Sequence, residues 1–229
     1  MMSESYHQRR SEIGAYFDRT AAEAWKRLTS DVPVGRIRAT VRAGRDEMRN
    51  VLLSYLPPDL KGARVLDAGC GTGAMAQALA ARGAEVVAVD LSPQLVKVAH
   101  DRTPEHLLAR ITYQAGDMTS PSLGRFDYCV AMDSVIHYEQ PDMVACLARL
   151  AERTGQAIAF TFAPSTTLLE AMHRVGKLFP RGNRSPAIVP QRAEAFRHLL
   201  HQHTGMVPRR NRRITSGFYI SHAQELLRP

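Results

Sequence analysis

The chain has 229 residues, 45% of them hydrophobic, which is enough for one sizeable α/β core. Its formal net charge of +8 points to an acidic partner: nucleic acid, an anionic membrane surface or a carboxylate-bearing small molecule. Cys70, Cys129 and Cys146 form no CxxC pair, which argues against a disulfide framework and structural zinc; residues 1–10 lack the apolar core of a signal peptide, so a cytoplasmic setting is expected.

Residues 12–56 carry helical patterning. Ile13, Phe17, Ala24 and Leu28 fall near one face, with Trp25 beside them. After a break at 32–35, a second stripe runs through Val34, Ile37, Val41, Met48, Val51, Leu52 and Tyr55, until Pro57-Pro58 stops it. The opposite face carries Arg38, Arg42, Arg45 and Arg49, which suits either a solvated surface or an anchor for an anion.

From Lys61 the pattern changes. Apolar runs at 63–66, 85–89, 111–114, 126–132 and 156–162 alternate with helical stretches at 74–82, 93–102 and 141–153. That alternation predicts parallel strands joined by right-handed crossovers. The last two runs, 212–215 and 217–221, lie too close for a crossover helix and predict an antiparallel hairpin about Ser216-Gly217. Residues 164–193 form an insertion with a helical stripe (Leu168, Leu169, Met172, Val175, Leu178) and a basic, turn-rich loop holding Phe179, Arg181 and Arg184. An insertion after a strand's carboxyl end sits at the mouth of an open sheet, so it is expected to be a substrate flap. No apolar run is long enough to span a bilayer; peripheral membrane contact stays open.

The strongest chemical signal is Asp67-Ala68-Gly69-Cys70-Gly71-Thr72-Gly73, placed between the first strand and a helix. Glycine at 69 and 71 permits a tight turn and a ligand lying against bare peptide. Asp90 ends the second strand, about twenty residues downstream, where a carboxylate accepts ribose hydroxyls. That placement fits NAD or S-adenosylmethionine. Asp67 before the turn would repel a pyrophosphate but suits a cationic amino-acid end. Asp117 and Met118 after the third strand offer an edge and a face to adenine, with Cys70, Leu91 and Met132 as further wall residues. With the C-terminal hairpin, residues 61–226 resemble the class I S-adenosylmethionine methyltransferases. That resemblance implies a doubly wound, mostly parallel seven-stranded α/β sheet with S-adenosylmethionine as cofactor and no protein-bound metal.

The fourth strand ends in Asp133-Ser134-Val135-Ile136-His137-Tyr138. No Asn-Pro-Pro-Tyr type motif is present, which favours an oxygen acceptor over a base amine. His137, at the sheet's carboxyl edge, is the candidate to take a proton from a hydroxyl or to orient a carboxylate.

A narrower resemblance then covers residues 16–221. Tyr16-Phe17-Asp18-Arg19-Thr20, Trp25, Arg42-Ala43-Gly44-Arg45, Ser134-Val135-Ile136-His137-Tyr138, Phe162-Ala163-Pro164, Gly176-Lys177-Leu178-Phe179-Pro180-Arg181 and Gly217-Phe218-Tyr219-Ile220-Ser221 resemble the magnesium-protoporphyrin IX O-methyltransferases, closest to the bacterial branch. The resemblance implies methylation of the ring-C propionate of magnesium-protoporphyrin IX, with His137 as the catalytic residue. Members from oxygenic phototrophs carry a catalytic tyrosine where this chain has Thr29, leaving Tyr16 as the substitute candidate. It further implies an N-terminal helical lid over residues 1–60 on a methyltransferase domain at 61–229, and the magnesium chelatase subunit as the partner that delivers the porphyrin. Arg42, Arg45, Phe179 and Arg181 are the expected substrate contacts, since a flat apolar disc with acidic tails calls for apolar walls and arginine forks. An RNA methyltransferase, suggested by the run Arg209-Arg210-Asn211-Arg212-Arg213, is the alternative, but no aromatic stacking platform accompanies that run, and no nucleic-acid partner is expected.

Overall fold

A computed structural model describes residues 2–20, 29, 35–165 and 187–229. The strands are β1 (Arg64–Ala68), β2 (Glu85–Asp90), β3 (Ile111–Ala115), β4 (Phe126–Ala131), β5 (Thr154–Phe162), β6 (Val207–Ser216) and β7 (Tyr219–Leu227). They form one sheet in the order β3-β2-β1-β4-β5-β7-β6. The first five are parallel, and β7 runs antiparallel to both β5 and β6. The described helices are α1 (Glu4–Ala15), α2 (Arg36–Ser54), α3 (Ala74–Ala81), α4 (Pro93–Asp101), α5 (Glu105–Leu108), α6 (Gln140–Ala151) and α7 (Ala193–Thr204).

Both faces of the sheet are covered, which is why β1, β2 and β4 read as nearly continuous apolar runs. One face packs Tyr6, Tyr138, Leu147, Phe160 and Phe196 into a core shared by α1, α6 and α7. The other packs Met48, Leu52 and Leu60 with Val65, Leu79 and Ala223, so the carboxyl half of α2 belongs to the same core as the sheet. Gly44 permits this: a Cβ there would stand 2.7 Å from Tyr219 Cδ1 and 2.8 Å from Ser216 Cβ. Helix α2 is therefore pressed onto the β6–β7 hairpin. The strand order reverses between β1 and β4, which opens a crevice at their carboxyl ends.

The expected doubly wound fold is observed, with two differences of placement. The first helix begins at Glu4, well before the apolar pattern at 12–56, because its contacts are polar and tertiary. Ser3 caps it by accepting from Tyr6 N at 3.0 Å, and Ser5 donates to Asp142 at 2.7 Å. The hairpin is longer than expected and turns at Gly217-Phe218, so the run 209–213 lies inside β6 rather than ahead of it. As the edge strand, β6 is wet along this run, and a wet strand shows little apolar alternation.

Of the insertion, residues 166–186 lie outside the described residues, and with them Phe179, Arg181 and Arg184; Trp25, Ala24 and Leu28 do likewise. Its two ends meet at the carboxyl end of β5, where Gln191 N donates to Ala163 O at 2.8 Å and Ser165 N to Gln191 O at 2.7 Å.

Candidate active site

A cavity of about 310 Å³ opens at the switch point between β1 and β4. Its floor is the glycine turn. Gly69 and Gly73 have φ of 86° and 85°, which side chains other than glycine adopt only with strain. A Cβ on Gly69 would collide with Ser134, so the strand-β4 loop approaches the turn closely. Gly69 N and Cys70 N both donate to Val89 O, at 2.8 and 2.9 Å, tying the turn to the end of β2. Gly73 is the N-cap of α3, so that helix points its positive end at the cavity.

Asp90 closes β2 and holds both neighbouring segments. Its Oδ2 accepts from Gly71 N and its Oδ1 from Ser92 N, each at 2.9 Å. Burial pushes its carboxyl up, against the pull of these N–H groups. Each oxygen keeps a further lone pair for a ligand hydroxyl. Asp67 is 1% exposed, and its Oδ2 has no hydrogen-bond partner. Burial, and then the charge of Asp90, push its carboxyl up to about 7, opposed by the Ala76 backbone N–H. A buried carboxylate oxygen without a donor calls for a cationic or N–H-bearing ligand group. The Ser134 hydroxyl, buried on the far side of Gly69, is also without a partner and calls for an acceptor.

Asp117 stands at the opposite wall beside Met118. Its Oδ1 accepts from Tyr6 OH at 2.9 Å and from Thr119 N and Oγ1 at 2.8 Å each, while Oδ2 pairs with Arg10. Burial raises its pKa, but these donors outweigh it and hold the carboxyl below its ordinary value. Tyr6 is fully buried and its ring stacks on Tyr138 with centroids 4.9 Å apart.

The segment after β4 forms the remaining wall. Asp133 is the one non-glycine residue at positive φ, 53°, among the described residues. That turn aims its carboxylate at three elements at once: it pairs with Arg45 of α2 and accepts from Thr161 Oγ1 and Tyr219 OH, each at 3.1 Å. His137 is 6% exposed and its Nδ1 lies 3.4 Å from Ala187 O. A carbonyl only accepts, so this contact favours the proton on Nδ1 and makes Nε2 the basic nitrogen.

The cavity gathers Asp67, Gly69, Cys70, Gly71, Asp90, Leu91, Asp117, Met118, Met132, His137, Arg42 and Arg45 in its lining. Tyr16 is not in the lining; it packs edge-on against its neighbour Phe17, which is, with ring centroids 5.3 Å apart. Arg45 is in the lining with Asp133 as its partner. Sequence reasoning missed Tyr6 and Asp133. A carboxylate directly after an apolar strand was a usable signal for Asp133, whereas Tyr6 sits in a polar segment and showed none.

A sheet of this order with β7 reversed, a glycine turn at the switch point and acidic residues on both flanks define a class I S-adenosylmethionine-dependent methyltransferase. A methyltransferase-domain profile matches residues 65–155, and the profile of the magnesium-protoporphyrin IX methyltransferase C-terminus matches 131–228. The chain is 50% identical to the magnesium-protoporphyrin O-methyltransferase of Rhodobacter capsulatus, over 98% of this chain and 99% of that one. It is 28% identical to the Synechocystis protein of the same name, over 93% and 94%. The crystal structure of magnesium protoporphyrin IX methyltransferase from Synechocystis PCC 6803 with bound SAH superposes with a TM-score of 0.83 at 26% identity, covering 96% of this chain and 99% of that one. The chain belongs to the magnesium-protoporphyrin O-methyltransferases.

Proposed function

We propose that this chain transfers the methyl group of S-adenosylmethionine to a propionate carboxylate of magnesium-protoporphyrin IX, giving the monomethyl ester on the route to bacteriochlorophyll. The observation that carries it is one cavity in which the glycine turn, His137 and the arginines of α2 meet. The residues present fit the cofactor: the unpartnered Asp67 Oδ2 suits its ammonium, the Ser134 hydroxyl its carboxylate and Asp90 its ribose hydroxyls. Bound there, S-adenosylmethionine would supply a sulfonium-activated methyl group for in-line displacement by a carboxylate oxygen, with S-adenosylhomocysteine as the leaving group.

The acceptor is already ionised at neutral pH, so the protein's task is alignment and desolvation rather than deprotonation. Arg42 and Arg45 present guanidinium groups to the acid tail, with Arg45 held by Asp133. His137 Nε2 takes up a residual proton and orients the carboxyl group. Leu91, Met118 and Met132 provide apolar walls for the adenine. Helix α1 and the turn at 16–20 act as the lid, anchored through Tyr6 and Arg10 to Asp117 and through Asp18 to Ser92. Phe179 and Arg181, outside the described residues, are the further substrate contacts that the family resemblance implies. The same reading has the magnesium chelatase subunit deliver the porphyrin, and leaves the basic edge of β6 for peripheral membrane contact. Among the described residues no helix is long and apolar enough to cross a membrane.

The test is transfer of label from methyl-labelled S-adenosylmethionine to magnesium-protoporphyrin IX, metal-free protoporphyrin and bulk tRNA offered in parallel. Label is expected in the magnesium porphyrin; label in tRNA alone would overturn the proposal.

A further inference from the structure

The cavity of about 310 Å³ lies at the lower end of the roughly 300–1,000 Å³ typical of sites for a single drug-sized ligand. A nucleoside cofactor by itself takes up most of such a volume. On the proposed function, the reacting propionate enters the cavity and the ring stays outside.

Four large hydrophobic side chains are exposed among the described residues: Ile37 (61%), Ile188 (42%), Phe218 (71%) and Leu227. Singly, such residues are ordinary. Three of them sit at the carboxyl edge of the sheet, around the mouth. Because β6 runs parallel to β5, the turn Gly217-Phe218 projects past that edge. It packs on α2, where Ser216 Oγ donates to Thr40 O at 2.8 Å, and Thr40 Oγ1 donates one turn back to Ile37 O at 2.8 Å. The Phe218 turn thus lies beside the amino end of α2, which carries Ile37 and, further along, the Arg42 and Arg45 that line the cavity. Ile188 stands on the other side, between Ala187, whose carbonyl faces His137, and Val189, whose N–H donates to Ile136 O at 2.9 Å.

We infer that Ile37, Phe218 and Ile188 form an outer apolar rim that holds the flat face of the tetrapyrrole while one acid tail reaches the cavity. This inference rests on the proposed function. Apolar side chains at the carboxyl edge, on either side of a cavity lined by Arg42 and Arg45, match a disc with anionic tails. A free-standing apolar patch would match a bilayer instead.

The experiment compares Phe218→Ser, Ile37→Ser and Ile188→Ser, with Phe218→Leu as the conservative variant and Leu227→Ser, at the amino edge, as control. Each serine variant at the mouth is expected to raise KM for magnesium-protoporphyrin IX by up to about tenfold. The Kd for S-adenosylhomocysteine and kcat stay near wild type; Phe218→Leu regains most of the loss, and Leu227→Ser behaves as wild type. Unchanged KM in all three overturns the rim. Unchanged KM with lost sedimentation on phosphatidylserine vesicles reassigns the surface to a membrane. If the wild-type protein neither binds nor methylates the porphyrin, the underlying function falls and the rim with it.

Discussion

Tyr6 donates its hydroxyl to Asp117 at 2.9 Å across 111 positions of sequence, and its ring stacks on Tyr138. One side chain near the amino terminus thereby closes the wall on which the cofactor's adenine is proposed to rest. Tyr6→Phe keeps the stacking and removes one donor to a charged acceptor, which costs about 2 kcal/mol. The expected outcome is a lower Tm, faster proteolytic removal of α1 and a rise in the pKa of Asp117. Unfolding identical to wild type would show that α1 is held by its other contacts.

Asp67 gives the cofactor site a pH dependence of predictable sign. With its carboxyl pushed up to about 7 by burial and the neighbouring Asp90, it is largely protonated below that pH in the ligand-free protein. An ammonium ligand prefers the ionised form, so affinity for S-adenosylmethionine should rise by up to tenfold per pH unit on approach to 7 and then level. By the same linkage, the ligand-free fold loses stability as pH rises from the ordinary carboxylate range to about 7. Calorimetry at pH 5.5–7.5 on wild type and Asp67→Asn checks this; the variant should lose the slope, and parallel curves would place the dependence elsewhere.

His137 is the residue expected to separate turnover from binding. His137→Ala should lower kcat by about 10²-fold while leaving the cofactor Kd within about twofold. Wild-type turnover in that variant would return the side chain to a packing role against Phe17, its neighbour at 6.0 Å between ring centroids.

Gly44→Ala tests the seat of α2. The added methyl meets Tyr219 and Ser216, an overpacking that costs about 1–3 kcal/mol. A loss of that size lowers Tm by roughly 2–4 °C per kcal/mol in a chain of this length. Because Tyr219 also donates to Asp133, KM for the porphyrin should rise with the loss of stability. A variant as stable as wild type would mean that the hairpin yields freely.

Local chemistry explains which parts were legible beforehand. The glycine turn, Asp67 and Asp90 are confined to short segments around single strand ends, where backbone conformation and hydrogen-bond partners lie within about twenty positions. Strands β1, β2 and β4 are buried on both faces, so their apolar runs mark them within a residue or two. The amino half of edge strand β6 and helix α1 escaped this reading because their partners are polar or distant: Arg210 pairs with Glu225, and Ser5 with Asp142. Tyr16 was placed one position from the residue that reaches the cavity, since the π-helical turn at 16–20 rotates successive side chains differently from an α-helix.

The amino-acid sequence by itself determined the class of sheet, the position of the cofactor turn and the acidic residues flanking it, because each depends on neighbours along the chain. Only the tertiary structure decided that Asp133 faces Arg45 across 88 positions and that Tyr6 faces Asp117. The path of α2 over the hairpin and of α1 over the sheet edge selects those partners. That path is set by the packing of two whole layers, which no local pattern encodes.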